Sequence, residues 1–227
     1  MSDLTLNINE IMADIKRVAV SSGRDPAEIR IVAVTKTVPV ENIRLAVSAG
    51  LNILGENRVQ ELTAKYPLVD GAEWHLIGHL QRNKVKYIVD KVSMIHSLDS
   101  TALAEEIDMK MNVLGRKMNV LVQVNIAEDP NKYGIKVNEV MDFVETAARL
   151  PGIRIQGLMT IGPYVSEPEE IRPVFRELKK LAENVRKMDF PGVEMRHLSM
   201  GMSNDYIIAI EEGATLIRIG SSIFGAR

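Results

Sequence analysis

The amino-acid sequence predicts an α/β fold, a single (β/α)8 barrel with one extra N-terminal helix, and three observations carry that prediction. Short β-branched runs alternate with helix-period stretches, eight such runs can be counted, and no G-x-G-x-x-G turn follows the first of them. Strict alternation of strand and helix calls for parallel strands joined by crossover helices. Eight strands in one such series close into a barrel. The competing architecture is an open doubly wound sheet, whose dinucleotide-binding form would carry glycines where this chain reads "TKTVPVEN" (35–42). With no linker and no shift in composition, residues 1–227 read as one domain.

The elements are justified in order. A helix over 4–20 comes first, with Ile8, Ile11, Met12, Ile15 and Val18 on one stripe, and "SSGRDP" (21–26) stops it. The strands are then "IRIVAVTK" (29–36), "NILGE" (52–56), "EWHLIG" (73–78), "MIHSLD" (94–99), "NVLVQVNI" (119–126), "IRIQGLMT" (153–160), "EMRHLSM" (194–200) and "TLIRIG" (215–220). Helices are predicted between them over 40–49, 57–65, 82–90, 101–114, 137–149, 169–187 and 204–212. Three of these run into Gly50, Gly115 and Gly213, which suits left-handed C-caps.

Composition excludes several classes of function. The net charge is −2, from 28 basic and 30 acidic residues, which gives no electrostatic basis for binding nucleic acid. There is no cysteine, so disulfides, thiolate catalysis and Cys-ligated metals are ruled out. No apolar run approaches the roughly 20 residues of a membrane span. The opening residues carry Asp3 and no basic leader, unlike a secretory signal. A cytoplasmic chain is expected. Hydrophobic residues make up 46% of it, enough for a sizeable core, and the twelve methionines read as core filler.

Barrel enzymes carry their chemistry on the loops after the C-terminal strand ends. The unusual residues fall there: Lys36, "GENRVQE" (55–61), "GHLQRNK" (78–84), "SLDS" (97–100), "MTIG" (159–162), "SMGMSND" (199–205) and "RIGSS" (218–222). In a closed barrel the last strand lies beside the first. Side-chain alternation puts Lys36 in phase with Val32 and Val34, and Arg218 in phase with Leu216, so both cations face one mouth. A desolvated lysine near another cation has a lowered pKa and becomes a nucleophile toward carbonyls. Phosphate sites in barrels commonly use the loops after strands 7 and 8. Gly201 allows close backbone approach, Ser203 offers a hydroxyl and a possible N-cap, and Gly220 and Ser221 add amides and a second hydroxyl. A lysine for an aldehyde, an arginine and a phosphate cradle together fit pyridoxal 5′-phosphate (PLP). An arginine opposite the pyridine nitrogen disfavours ring protonation and weakens the cofactor as an electron sink.

Each residue also has a plainer reading. Lys36 could be a solvated strand end, Arg218 an ion-pair partner for an acid such as Glu56, and "GMSND" an ordinary turn into a helix. His75 and His79 are four apart, but a strand and Gly78 separate them, so metal binding is not expected. His75 and Trp74 read as packed strand residues, and His197 as either a barrel-interior or a satisfied core histidine.

"AVTKTVP", "GENRVQE", "WHLIGHLQRNK", "IHSLD", "GLMTIGP" and "LSMGMSNDY" with "IGSSIFGAR" resemble the pyridoxal phosphate homeostasis protein family from about residue 30 to the end. The resemblance implies a barrel of the alanine racemase N-terminal domain type, with PLP held as a Schiff base on Lys36 and Arg218 facing the pyridine nitrogen. It places Ser203, Gly220 and Ser221 at the phosphate, and Asn57 and His79 close to the ring. Met200 joins the cofactor-binding set by its position in the same loop. Alanine racemase adds a second domain that supplies a tyrosine, whereas this chain reads "FGAR" directly after its last strand. Two-base racemisation needs an acid or base on each face of the carbanion. The favoured expectation is a monomeric carrier that takes part in PLP homeostasis without evident turnover and hands the cofactor to PLP-dependent apoenzymes. The alternatives are a one-domain amino-acid racemase-like enzyme, a Schiff-base aldolase acting on a sugar phosphate, and a purely structural barrel.

Overall fold

The computed structural model describes residues 3–163 and 165–225. Tyr164, the first two residues and the final Ala226 and Arg227 of the "FGAR" motif lie outside that description. The strands are β1 (Arg30–Val34), β2 (Ile53–Glu56), β3 (Glu73–Leu76), β4 (Met94–Leu98), β5 (Met118–Asn125), β6 (Ile135–Lys136), β7 (Ile153–Met159), β8 (Val193–Ser199) and β9 (Leu216–Ile219). All pairings are parallel, and the ring β1-β2-β3-β4-β5-β7-β8-β9 closes where Ala33 of β1 lies opposite Ile219 of β9. The two-residue β6 pairs with β5 outside the ring.

Side-chain alternation divides the apolar residues into two cores. Val32, Val34, Ile53, Ile77, Met94, Leu121, Met159 and Leu216 fill the barrel interior. Ile31, Ala33, Leu54, Leu76, Ile95, Val120 and Leu158 face outward into a larger layer beneath the helices. Strands buried on both faces read as continuous apolar runs, which is why the sequence shows them so clearly. The interior also holds His75, His96, Ser199 and Arg218, all buried; His75, His96 and Arg218 stand two residues from Ile77, Met94 and Leu216.

The helices are α1 (Asp3–Ser21), α2 (Val40–Ser48), α3 (Val59–Lys65), α4 (Thr101–Val113), α5 (Val140–Ala148), α6 (Arg172–Lys187), α7 (Tyr206–Glu211) and α8 (Ser221–Phe224). α1 buries Ile8, Ile11, Ile15 and Val18. It is tied to the end of the chain, with Asn7 donating to Ile223 O at 3.2 Å and Tyr206 Oη donating to Asp14 at 2.9 Å. Gly50, Gly115 and Gly213 take φ of 97°, 62° and 106°, as left-handed C-caps require. Among the described residues no helix is long and apolar enough to cross a membrane.

Some elements depart from expectation. The predicted helix over 82–90 is a 3₁₀ segment, Arg82–Tyr87. Its run of "RNKVKY" buries only Val85, too little apolar surface to hold a full α-turn repeat. 3₁₀ turns at 137–139 and 168–171 likewise precede α5 and α6. β1 ends at Val34, so Lys36 stands in the following turn rather than in the strand. α7 begins at Tyr206 rather than at residue 204, with Asp205 and not Ser203 in the N-cap position, and the short α8 is an element the sequence pattern does not show.

A cationic cavity at the barrel mouth

Beyond the C-terminal ends of β1, β7, β8 and β9 lies a cavity of about 860 Å³, lined among others by Lys36, Lys132, Gly162, Ser203, Asp205, Arg218, Gly220 and Ser221. Five of the eight residues singled out as cofactor-binding thus line this one cavity: Lys36, Ser203, Arg218, Gly220 and Ser221. The other three do not line it. Met200 is fully buried in the outer core. His79 Nδ1 lies 3.0 Å from Asp99 Oδ2, and its ring stacks on Tyr133 at 3.7 Å. Asn57 sits beside His79, since its carbonyl leaves no room for a side chain at Gly78, and its Oδ1 is buried without a hydrogen-bond partner.

The turn that carries Lys36 is gripped on both sides. Thr37 adopts φ of 60°, an uncommon conformation for a β-branched residue. Its N–H donates to Glu61 Oε2 at 2.7 Å. Lys65 Nζ donates to Thr35 O at 2.7 Å and to Glu56 and Glu61 at 2.8 and 2.9 Å. Thr35 Oγ1 donates to Glu56 Oε1 at 2.8 Å. The motif "GENRVQE" therefore serves the lysine turn from behind. It also answers the plainer reading of Arg218, because the partner of Glu56 is Lys65.

Arg218 donates from Nη1 to Ser199 Oγ at 2.6 Å and from Nη2 to Thr160 O at 2.8 Å. Both acceptors are neutral, so the guanidinium keeps its charge toward the cavity. Burial lowers its pKa to about 10, partly opposed by the charge of Asp205. Burial raises the carboxyl of Asp205, while its bond from Met202 N–H and the charge of Arg218 pull it back down.

One side of the cavity is built on Ser203. Its Oγ accepts from Gly220 N–H at 3.4 Å and from Ser222 N–H at 3.3 Å, tying the loop after β8 to the start of α8. A hydroxyl that accepts twice still has its own proton to donate. Gly201 takes φ of 90°, and a Cβ there would stand 2.5 Å from Ala209 Cβ. Only glycine lets this loop fold back onto α7. Lys132 was missed by sequence reading; its Nζ donates to Gly162 O at 3.0 Å. The signal was a lysine inside the turn-rich "DPNKYG" after a barrel strand, the same placement as Lys36.

A closed parallel barrel with a lysine, an arginine and a serine-glycine cradle at its mouth belongs to the alanine racemase N-terminal domain class, whose family model matches residues 7–227. Within it, the chain belongs to the pyridoxal phosphate homeostasis protein family. It is 40% identical over 222 residues to the Aquifex aeolicus protein of that name, covering 97% of this chain and 96% of the relative. The Escherichia coli protein of that name is 35% identical, over 100% of this chain and 98% of its own. The structure of PipY from Synechococcus elongatus with PLP bound superposes with a TM-score of 0.81 at 34% identity, over 93% of this chain and 100% of that one. Alanine racemase of Corynebacterium glutamicum shares the fold alone, with a TM-score of 0.70 at 13% identity over 96% of this chain and 62% of the enzyme.

Proposed function

We propose that this chain binds PLP in the mouth cavity, holds its aldehyde as a Schiff base on Lys36, and stores and hands on the cofactor rather than turning over a substrate. The observation that carries this reading is the single cavity shared by Lys36, Arg218 and the Ser203–Gly220–Ser221 cradle. Its volume suits a ligand of this size. PLP would supply an aldehyde for reversible imine formation: the lysine nitrogen adds to the carbonyl carbon, C=N forms, and the oxygen leaves as water.

The chain's own groups set the rest. Ser203 Oγ–H and Ser221 at the start of α8 suit a phosphate dianion. The cationic wall of Lys36, Lys132 and Arg218 offsets that charge. Arg218, giving its bonds to neutral oxygens, presents a cation that keeps a facing pyridine nitrogen unprotonated. That relatives bear the homeostasis name and that PipY binds PLP support the reading. The carrier so proposed is a cytoplasmic monomer that serves PLP-dependent apoenzymes.

A racemase-like reading keeps one specific observation, the second amine Lys132 in the same cavity. It requires α-proton exchange from amino acids into deuterated water, and no exchange across a broad panel removes it.

The deciding experiment is an absorption spectrum of the purified protein, then borohydride reduction and peptide mapping. A visible band that reduces to a pyridoxyl adduct on Lys36 is expected. A colourless protein that takes up no added PLP overturns the reading and revives the sugar-phosphate aldolase.

A further inference from the structure

Beneath Arg218, buried polar side chains run across the barrel without touching the cavity. Ser199 Oγ, which accepts from Arg218, lies 3.0 Å from His96 Nδ1. His96 Nε2 lies 3.0 Å from His75 Nδ1. His75 Nε2 faces Glu73 Oε2 at 3.8 Å, an electrostatic contact at the opposite rim, where Glu73 also meets Arg30 at 3.5 Å. Ser199, His96 and His75 are each at most 1% exposed.

The donor directions follow from the two ends. The guanidinium cannot accept, so Ser199 Oγ accepts from it, and its remaining lone pair and proton leave both senses open toward His96. The Glu73 carboxylate can only accept, so it calls for the proton of His75 on Nε2. His75 Nδ1 then accepts from His96 Nε2–H, and His96 Nδ1 accepts the Ser199 hydroxyl proton. A donor-only end and an acceptor-only end agree on one direction. Burial holds both imidazoles below their ordinary pKa, and for His96 the charges of His75, Arg218 and His197 act in the same sense. For His75, Glu73 opposes burial and Arg30 adds to it.

We propose that Ser199, His96 and His75 are positioning residues: a one-way hydrogen-bond relay of two neutral, Nε2-protonated imidazoles that fixes the Arg218 guanidinium against the cofactor's pyridine nitrogen. The positioning role rests on the PLP reading above; the tautomers do not. Because the relay is neutral, Arg218 gains an acceptor without losing charge. Its anionic end, Glu73, is four contacts from Arg218, at the far rim.

Nitrogen-15 NMR of the histidine rings tests the first half on the purified chain, which has four histidines. Neutral Nε2–H rings for His75 and His96 at pH 7 are expected, and an Nδ1–H tautomer or an imidazolium at either overturns the relay. The second half compares Ser199→Ala with Ser199→Thr. Loss of a charged hydrogen bond should weaken PLP retention about tenfold in the alanine variant and shift its visible band, with reduction still landing on Lys36. The threonine variant, which keeps the hydroxyl, should restore both. Ser199→Ala matching the unmodified protein in retention and spectrum overturns the positioning role. A protein that binds no PLP at all removes that role with the PLP reading, while the tautomer result stands by itself.

Discussion

Lys36 reaches the mouth because the chain leaves β1 at Val34 and turns through Thr37 in the left-handed region, not because the strand continues to it. Lys36→Arg keeps the length and charge but cannot form an imine. We expect no reducible adduct and persistent non-covalent, phosphate-dependent binding by equilibrium dialysis; an adduct recovered on Lys132 would move the covalent site. At this scale the sequence showed what alternation and loop placement can show. Arg218 converges on the mouth because its phase within β9 is readable, and Lys36, Ser203, Gly220 and Ser221 do so because each stands just beyond a strand end. Met200 follows a strand as well, yet its side chain turns into the outer core, and His79 is drawn to Asp99 and Tyr133. Loop side chains have no period, so their directions were not legible. Lys132 was hidden for the same reason.

The elements behind the lysine turn form a unit with a measurable energy. Glu56 is fully buried, one of its oxygens has no partner, and Lys65 supplies its counter-charge. Lys65→Met leaves a buried carboxylate uncompensated and should cost about 3–5 kcal/mol in urea unfolding. Adding Glu56→Gln should recover most of that loss, and equal instability of single and double variants would refute the pairing. A second element-scale prediction concerns β7, where Gly157 lies against β8 so closely that a Cβ would meet His197 O at 1.8 Å. Gly157→Ala must push the two strands apart at a register shift in the barrel wall. It should destabilise by several kcal/mol and disturb Ser199 two residues beyond the contact, seen as a lower Tm and weaker PLP retention. The strands were legible because double burial writes apolar runs into them. The 3₁₀ segment at 82–87 and the two-residue β6 were not, because their form is decided by the barrel they pack on rather than by local pattern.

For the molecule as a whole, the polar interior sets how stability responds to acid. Burial holds His75, His96 and His197 below their ordinary value, His197 at about 4. Below about pH 6.5 the unfolded chain therefore binds protons that the folded chain refuses, and stability falls as pH falls, down to the folded pKa of each ring. Each histidine contributes a slope of at most about 1.4 kcal/mol per pH unit in that window. Glu56, Asp99 and Asp205, raised mainly by burial, act in the opposite sense. They do so nearer the ordinary carboxylate range of about 4, so the histidines govern first. Tm should drop from pH 6.5 to 5 without loss at pH 7 to 8. His197→Gln should flatten part of that drop, since its ring is anchored through Thr215 and lies outside the relay. A Tm that stays level from pH 7 to 5 would mean that the folded barrel accepts these protons. Neutral imidazoles beneath Arg218 would then be untenable, and with them the fixed direction of the bonds that hold it.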